Sequence, residues 1–422
     1  MAGNLKSRLE RIRSQGTVSK KNVERSSPVQ GLVAPFPPPW VALSPLVLVR
    51  KTCIPLNELG IHTQYRMLLR SVPEEFLTIL FRKMSYSTGP FSEANLLFFD
   101  LETTGLSGGA GTLAFLAAFG EMSGSHLEIR QYLLLDYPGE PVFIEYINQE
   151  LHNKDDTVLV SYNGKAFDIQ ILRSRFILQG QCLPDKDHID LLYVSRLLWG
   201  GLVPSCSQSA LESLVLRKER HEDIPGALAP HIWFSFLREG PQCKALKDIL
   251  SVCNHNLLDI QGLVTLFNLI VQIGTDPLAA LGGQNFNVDR LALAWPKGTI
   301  RRVLLIEASR RGSERALYEL ARLARMEKDW DAYRRRLEQI LELAPQTTTN
   351  IRLRASIGLA SYYEWKKGDL VMAEWYTRRA LDLLEAVNAG GLMTGAKMPP
   401  SSINIKLEKR LERILIKQQQ LR

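Results

Sequence analysis

Leu96-Leu97-Phe98-Phe99-Asp100-Leu101-Glu102-Thr103-Thr104-Gly105 is the stretch that sets the architecture. Four apolar residues lead into an acid, one more apolar residue and a second acid. The run is too short for a helix and reads as a buried strand. Side chains alternate between faces along a strand, so Asp100 and Glu102 share one face. Two carboxylates on one face of a central strand repel each other unless a cation lies between them or one keeps its proton. Ligation by oxygen of that kind suits Mg²⁺ or Mn²⁺.

Downstream, Ser107-Gly108-Gly109-Ala110-Gly111-Thr112 is rich in glycine but lacks the Lys-Ser/Thr of a phosphate-cradling loop. It reads as a turn into a second strand, Leu113–Phe119, and a third follows at Ile129–Leu135. Pro141 to Glu150 reads as a helix with Val142, Ile144 and Ile147 along it. Thr157–Tyr162 is another strand, broken at Asn163-Gly164 and restarting as a helix near Phe167-Asp168. Asp168 thus sits at a strand-to-helix switch, where α/β sheets hold ligands; a plain first-turn acid is the alternative. Ser207–Val215 reads as helical and Asp223-Ile224-Pro225-Gly226 as a turn. Leu246 to Ile273 reads as one long amphipathic helix, on which His255 and Asp259, four residues apart, share a face.

A length of 422 residues predicts two or three domains. Net charge is +8 and unevenly spread: residues 301–422 carry 24 Lys/Arg against 15 Asp/Glu, and residues 1–50 carry 8 against 2. That leaves 20 against 27 for residues 51–300. An acidic centre with basic flanks suits a metal-binding core whose flanks meet a polyanion; solvated, Arg-rich helix faces are the alternative. The five scattered cysteines fit a reducing cytoplasm, and Cys253-Asn254-His255 has no CxxC pair to make a zinc site, so these read as buried thiols. No apolar run predicts a membrane span or a secretion signal.

The flanks complete the outline. Residues 1–40 read as a flexible basic arm ending in Pro35, Pro37, Pro38 and Pro39. Residues 41–95 read as a lead-in with a strand at Val47-Leu48-Val49 and a helix over Glu74–Lys83, and 96–275 as the α/β domain. Residues 276–300 read as a linker that includes a connector at Asn287–Pro296. Beyond it, 301–422 is an all-α domain of two degenerate, tetratricopeptide-like helical repeats. A loop over Asn388–Ser402 and a basic helix over Lys406–Gln420 follow the repeats. Such repeats usually present a concave face to a protein partner.

The ordered set Asp-x-Glu, Asn-x-x-x-Phe-Asp and His-x-x-x-Asp resembles the DEDD superfamily of 3′–5′ exonucleases, which have a ribonuclease H-like fold. The YprB-type ribonuclease H-like family is the nearer match. Phe99–Thr112 resembles its first block, and His188–Leu192, Asp223–Gly226 and His255–Ile260 resemble later ones. The resemblance covers residues 95–275. It implies a mixed sheet flanked by helices, with Asp100, Glu102, Asp168 and Asp259 as carboxylates for two Mg²⁺ or Mn²⁺ ions. It further implies His255 as the general base, with Asn256 beside it as the alternative group orienting the nucleophile. Thr103, Asn163 and Asn256 are expected to meet the substrate. The x-x-x spacing of His255 and Asp259 departs from the superfamily's usual His version and matches its Tyr version.

These residues point to a metal-dependent nuclease, expected to trim single-stranded 3′ ends of DNA or RNA in the cytoplasm. A ribonuclease H-like scaffold that binds nucleic acid without cutting it, and an endonuclease on the same fold, are the alternatives.

Overall fold

The computed structural model describes residues 36–61, 65–82, 92–105, 111–220, 223–343, 349–394 and 401–420. Residues 1–35 of the expected basic arm and the centre of the Gly-rich turn lie outside them. A seven-stranded mixed sheet organises the first part of the chain, in the order β1-β2-β5-β4-β3-β6-β7. The strands are β1 (Val41–Ser44), β2 (Val47–Pro55), β3 (Leu96–Thr103), β4 (Ala114–Ser123), β5 (His126–Leu134), β6 (Val158–Ser161) and β7 (Asp187–Asp190). The opening stretch is therefore the central strand: β4 pairs with it antiparallel on one side and β6 parallel on the other.

Around the sheet lie α1 (Tyr65–Arg70), α2 (Glu74–Phe81), α3 (Glu140–His152), α4 (Asp168–Leu178), α5 (Leu191–Trp199), α6 (Gln208–Leu214), α7 (Ala229–Glu239) and α8 (Cys243–Thr275). Alternation along β3 divides the core in two. Leu96 and Phe98 pack with the C-terminal half of α8, where the Phe98 and Phe267 rings stand 5.5 Å apart. Leu97, Phe99 and Leu101 face α3, α4 and α7. A strand covered on both faces is continuously apolar for this reason, and its acids stand out. Gly120, on β4, leaves space that a Cβ would lose to Ile260 of α8 at 2.7 Å. That close approach seats α8 directly on the sheet. By length and apolarity α8 meets the composition of a membrane span, but most of it is buried against this sheet.

The stretch read as a lead-in supplies β1 and β2 to the same sheet. Phe36 and Trp40, at the end of the expected arm, are buried, with Phe36 edge-on to Phe236 at 6.1 Å. The expected linker carries α9 (Pro277–Ala280) and α10 (Val288–Ala294), and Trp295 stacks on Phe76 at 5.7 Å. The connector expected at Asn287–Pro296 is thus largely helical, because Val288, Leu291 and Ala292 are buried.

The rest is all helical: α11 (Thr299–Arg310), α12 (Glu314–Met326), α13 (Trp330–Glu342), α14 (Thr349–Tyr362), α15 (Leu370–Thr394) and α16 (Ser401–Gln420). The chain turns between α12 and α13 at Glu327–Asp329 and between α14 and α15 at Gly368–Asp369. Asp329 caps α13 through the Ala332 N–H at 2.9 Å. α15 runs on into the expected loop as far as Thr394. Of the cysteines, Cys253 alone is buried; Cys53, Cys182 and Cys243 are exposed, against the expectation of buried thiols.

Candidate active site

The site begins with a row of residues across four strands. Strand register places Arg50, Gln131, Ala118 and Asp100 side by side on β2, β5, β4 and β3. Ala118 is small, which lets its register neighbours Gln131 and Asp100 converge over it on one residue of α8, Asn256. Asn256 Nδ2 donates to Asp100 Oδ2 at 2.8 Å, and Gln131 Nε2 donates to Asn256 Oδ1 at 2.9 Å. Gln131 Nε2 also donates to the Cys253 carbonyl at 2.8 Å, and Arg50 Nε donates to Gln131 Oε1 at 2.8 Å. Gln131 and Asn256 are fully buried, so each of these bonds is protected from water. The chain fixes the Asp100 carboxylate from behind.

Two residues further along the same face stands Glu102. It meets His255 and Asp259 from α8; ligand atoms of the three lie within 4.8 Å of one another. One α-helical turn separates the two α8 residues, and His255 Nε2 is 3.4 Å from Asp259 Oδ2. Asp168 arrives from another direction. β6 runs parallel to β3, and beyond its end the chain turns through Asn163 and Gly164 into α4, which opens on Asp168. Asp190, at the end of β7, holds that turn: it accepts from the Asn163 N–H at 2.8 Å and the Lys165 N–H at 3.1 Å. Gly164 is required by space, since a Cβ there would fall 2.3 Å from Ser161 Oγ and 3.0 Å from Asp168 Oδ2.

The electrostatics follow from burying acids together. Burial pushes the Asp100 carboxyl well above its ordinary range, and the charges of Asp259, Asp168 and Glu102 push it further; only the Asn256 hydrogen bond opposes them. Glu102 is raised by burial and then by Asp259, Asp168 and Asp223. Asp168 is pushed up to about 7, by burial first and Asp190 second. Asp259 is also raised by burial, although His255 and Arg220 hold it down. Four mutually repelling acids gain most from a shared cation. Glu102, Asp259 and Asp100 offer the oxygen donors that Mg²⁺ or Mn²⁺ takes, with the His255 imidazole beside them. The residues therefore fit a divalent metal centre. In this arrangement Asp100 and Asp168 stand outside the tight trio but within electrostatic reach of it.

Two residues complete the site that sequence reasoning gave no role. Asp223 Oδ1 lies 2.7 Å from His255 Nδ1, which fixes the ring so that Nε2 faces Asp259. Gly226, in the same turn, leaves room for that ring: a Cβ would lie 3.1 Å from His255 Nε2. Arg220 makes a double contact with the buried Glu212 of α6 at 2.6 and 2.8 Å, and donates to Asp259 Oδ1 at 2.7 Å. It also reaches Asp223 Oδ2 at 3.1 Å.

Two residues expected to meet substrate are engaged within the protein. The Thr103 hydroxyl is buried and donates to the Gly105 carbonyl at 2.9 Å, so it shapes the turn after β3. Asn256 is fully buried with its amide engaged at both ends, and it holds Asp100. Asn163 is exposed, in a left-handed conformation (φ 64°), beside the turn that delivers Asp168.

Residues 97–271 match the family model for the RNase H superfamily domain RNase_H_2. The protein YprB of Bacillus subtilis (strain 168) is 30% identical over 355 residues, covering 79% of this chain and 82% of that protein. The chain belongs to the YprB-type ribonuclease H-like family. Of the first block that the sequence shares with this family, Phe99–Thr103 lie at the end of β3. A family B DNA polymerase from the hyperthermophilic archaeon Pyrobaculum calidifontis is similar over 52% of this chain and 30% of the polymerase, at 14% identity and a TM-score of 0.35. The ribonuclease H-like superfamily consists generally of nucleases acting on phosphodiester bonds, and this YprB-type chain has that nuclease-type fold.

Proposed function

We propose that the protein is a metal-dependent 3′–5′ exonuclease acting on single-stranded DNA or RNA. The observation that carries this reading is the convergence of Asp100, Glu102, Asp168 and Asp259 with His255, from three separate elements, into one buried acidic centre. A scaffold that only binds nucleic acid gains nothing from repelling acids held at such cost. Polarity and strand preference come from the resemblance of the ordered motifs to the DEDD exonucleases.

Asp100, Glu102, Asp168 and Asp259 would hold the ions, which when bound supply Lewis acidity toward a phosphoryl oxygen and a nucleophilic water at neutral pH. The chain's own groups do the rest. Asn256 and Gln131 keep Asp100 in one rotamer. Asp223 accepts the Nδ1 proton of His255 and leaves Nε2 as the acceptor for a proton from the attacking water. Arg220 offers a cation beside Asp259, where a phosphate would carry negative charge. None of these groups is built to read a base edge, so contact with phosphate and sugar and little sequence specificity follow.

The test is a panel of 5′-labelled single-stranded DNA and RNA, with a circular single strand beside them, incubated with Mn²⁺ or Mg²⁺. Stepwise shortening from the 3′ end, absent for Asp100→Ala and absent on the circle, supports the reading. Cleavage of the circle would make the enzyme an endonuclease; no hydrolysis of any substrate would favour the scaffold.

A further inference from the structure

The helical region contains a built cavity away from the acidic centre. It has a volume of about 230 Å³ and is lined by Arg325 and Trp330, by Tyr333 of α13, and by Trp365, Lys366 and Arg410. Among the described residues of its lining there are three cations and no acid. Trp365 is 60% exposed, and Lys366 sits over the Trp330 ring at 4.4 Å.

The backbone is bent to make this arrangement. Between α14 and α15 the chain passes through one π-helical turn, Tyr363–Lys367, closed by Gly368 at φ 70°. Such turns are uncommon and concentrate at functional sites. This one sends Glu364 inward and Trp365 and Lys366 outward. Glu364 is fully enclosed and anchors α16 through Arg413 at 2.8 Å, Arg410 at 3.4 Å and Lys417 at 3.5 Å. Three cations on one carboxylate leave positive charge unmatched beside the cavity. Arg413 and Lys417 also stand over the Trp365 ring, at 5.4 and 4.4 Å.

We propose that this cavity binds single-stranded nucleic acid, with a backbone phosphate on Lys366, Arg325 and Arg410 and a base stacked on Trp365. Exposed aromatic faces between fixed cations are the chemistry that captures a single strand. A duplex keeps its base faces stacked inside and cannot offer one to the ring. The excess of Lys and Arg over Asp and Glu in residues 301–422 acts in the same direction. The inference rests on the nuclease reading only for the use of the bound strand, as a second grip on the substrate.

Fluorescence anisotropy of labelled dT20 and rU20 with the full chain in EDTA tests it, since no turnover occurs and loss of nuclease activity would not affect the readout. Trp365→Ala is expected to weaken binding of at least one oligonucleotide roughly tenfold. Lys366→Ala should lower the salt-dependence slope by about one, and Lys328→Ala, outside the lining, should change neither. Both side chains that are removed are exposed, and an unchanged melting temperature separates lost binding from lost folding. Wild-type affinity for both strands in Trp365→Ala and Lys366→Ala would overturn the proposal. So would pocket-dependent binding of an acidic peptide such as oligoglutamate with no pocket-dependent binding of either oligonucleotide, which would make the cavity a protein-docking site.

Discussion

Asp168→Asn should make the metal-free protein more stable and the metal-loaded protein less responsive. Asp168 is buried, and burial together with Asp190 moves its ionisation to about 7 from the ordinary 3.8. The sign follows from proton counting. Below about pH 4 the group is protonated whether the chain is folded or not. Between 4 and 7 the unfolded chain releases the proton and the folded chain keeps it, so stability falls as pH rises through that window. Above both values the cost to the folded state reaches about 4 kcal/mol. An amide keeps the shape and removes the charge, but its own polar atoms need partners. A net gain of about 2 kcal/mol is therefore expected at pH 8 in EDTA, and none near pH 4. Excess Mn²⁺ should reverse the order. At a hundred times its dissociation constant a bound ion adds about 2.7 kcal/mol to the wild type, and the variant, lacking one ligand, gains less. The assay is urea unfolding followed by tryptophan fluorescence, in EDTA and in Mn²⁺, at pH 4, 6 and 8. The reasoning is refuted if Asp168→Asn is less stable than wild type in EDTA at pH 8, or if Mn²⁺ stabilises both equally.

Three further outcomes follow from the same geometry. Asp223→Asn should lower kcat about 10- to 100-fold with little change in KM, because it loosens the ring of His255 without touching substrate; steady-state kinetics on a labelled strand would show it. Arg220→Met should destabilise the fold by about 3–5 kcal/mol, since it leaves the buried Glu212 carboxylate uncompensated, and Glu212→Gln in the same chain should restore most of the loss in a thermal melt. His188 is buried against Ser161 Oγ at 2.7 Å, and burial lowers its pKa to about 3. It stays neutral when folded but gains a proton when unfolded below about 6.5, so moving from pH 7 to pH 5 should cost about 2 kcal/mol that a His188→Gln variant does not lose.

Much of the centre is legible along the chain because its spacings are local. Asp100 and Glu102 share a strand face through an alternation of two, and His255 and Asp259 share a helix face through one turn. Asp168 announces itself by the strand that ends at Asn163-Gly164. The support behind these residues is not local. Gln131 meets Asn256 only because β5 pairs with β4 in a particular register and Ala118 leaves the gap. Its one sequence sign is an uncharged polar residue on the face of β5 that Leu127 and Ile129 give to the core. Asp223 lay in a stretch read as a turn and as one block of the family resemblance, and nothing in that turn tells which histidine it faces. The asparagine beside His255 points, by helical geometry, toward the sheet, which is why Asn256 meets Asp100 and Gln131. The lead-in and linker misled for a related reason: short, mixed segments such as Val41–Ser44 and Val288–Ala294 take their structure from the surface they complete.

The central claim is that these acids form one divalent-metal centre, and a crystal of the protein soaked in Mn²⁺ tests it most directly by anomalous scattering. The account predicts Mn²⁺ peaks bonded among Asp100, Glu102, Asp168 and Asp259, lost in crystals of Asp259→Asn. No peak among these side chains at saturating Mn²⁺, with manganese bound elsewhere on the molecule, would contradict it.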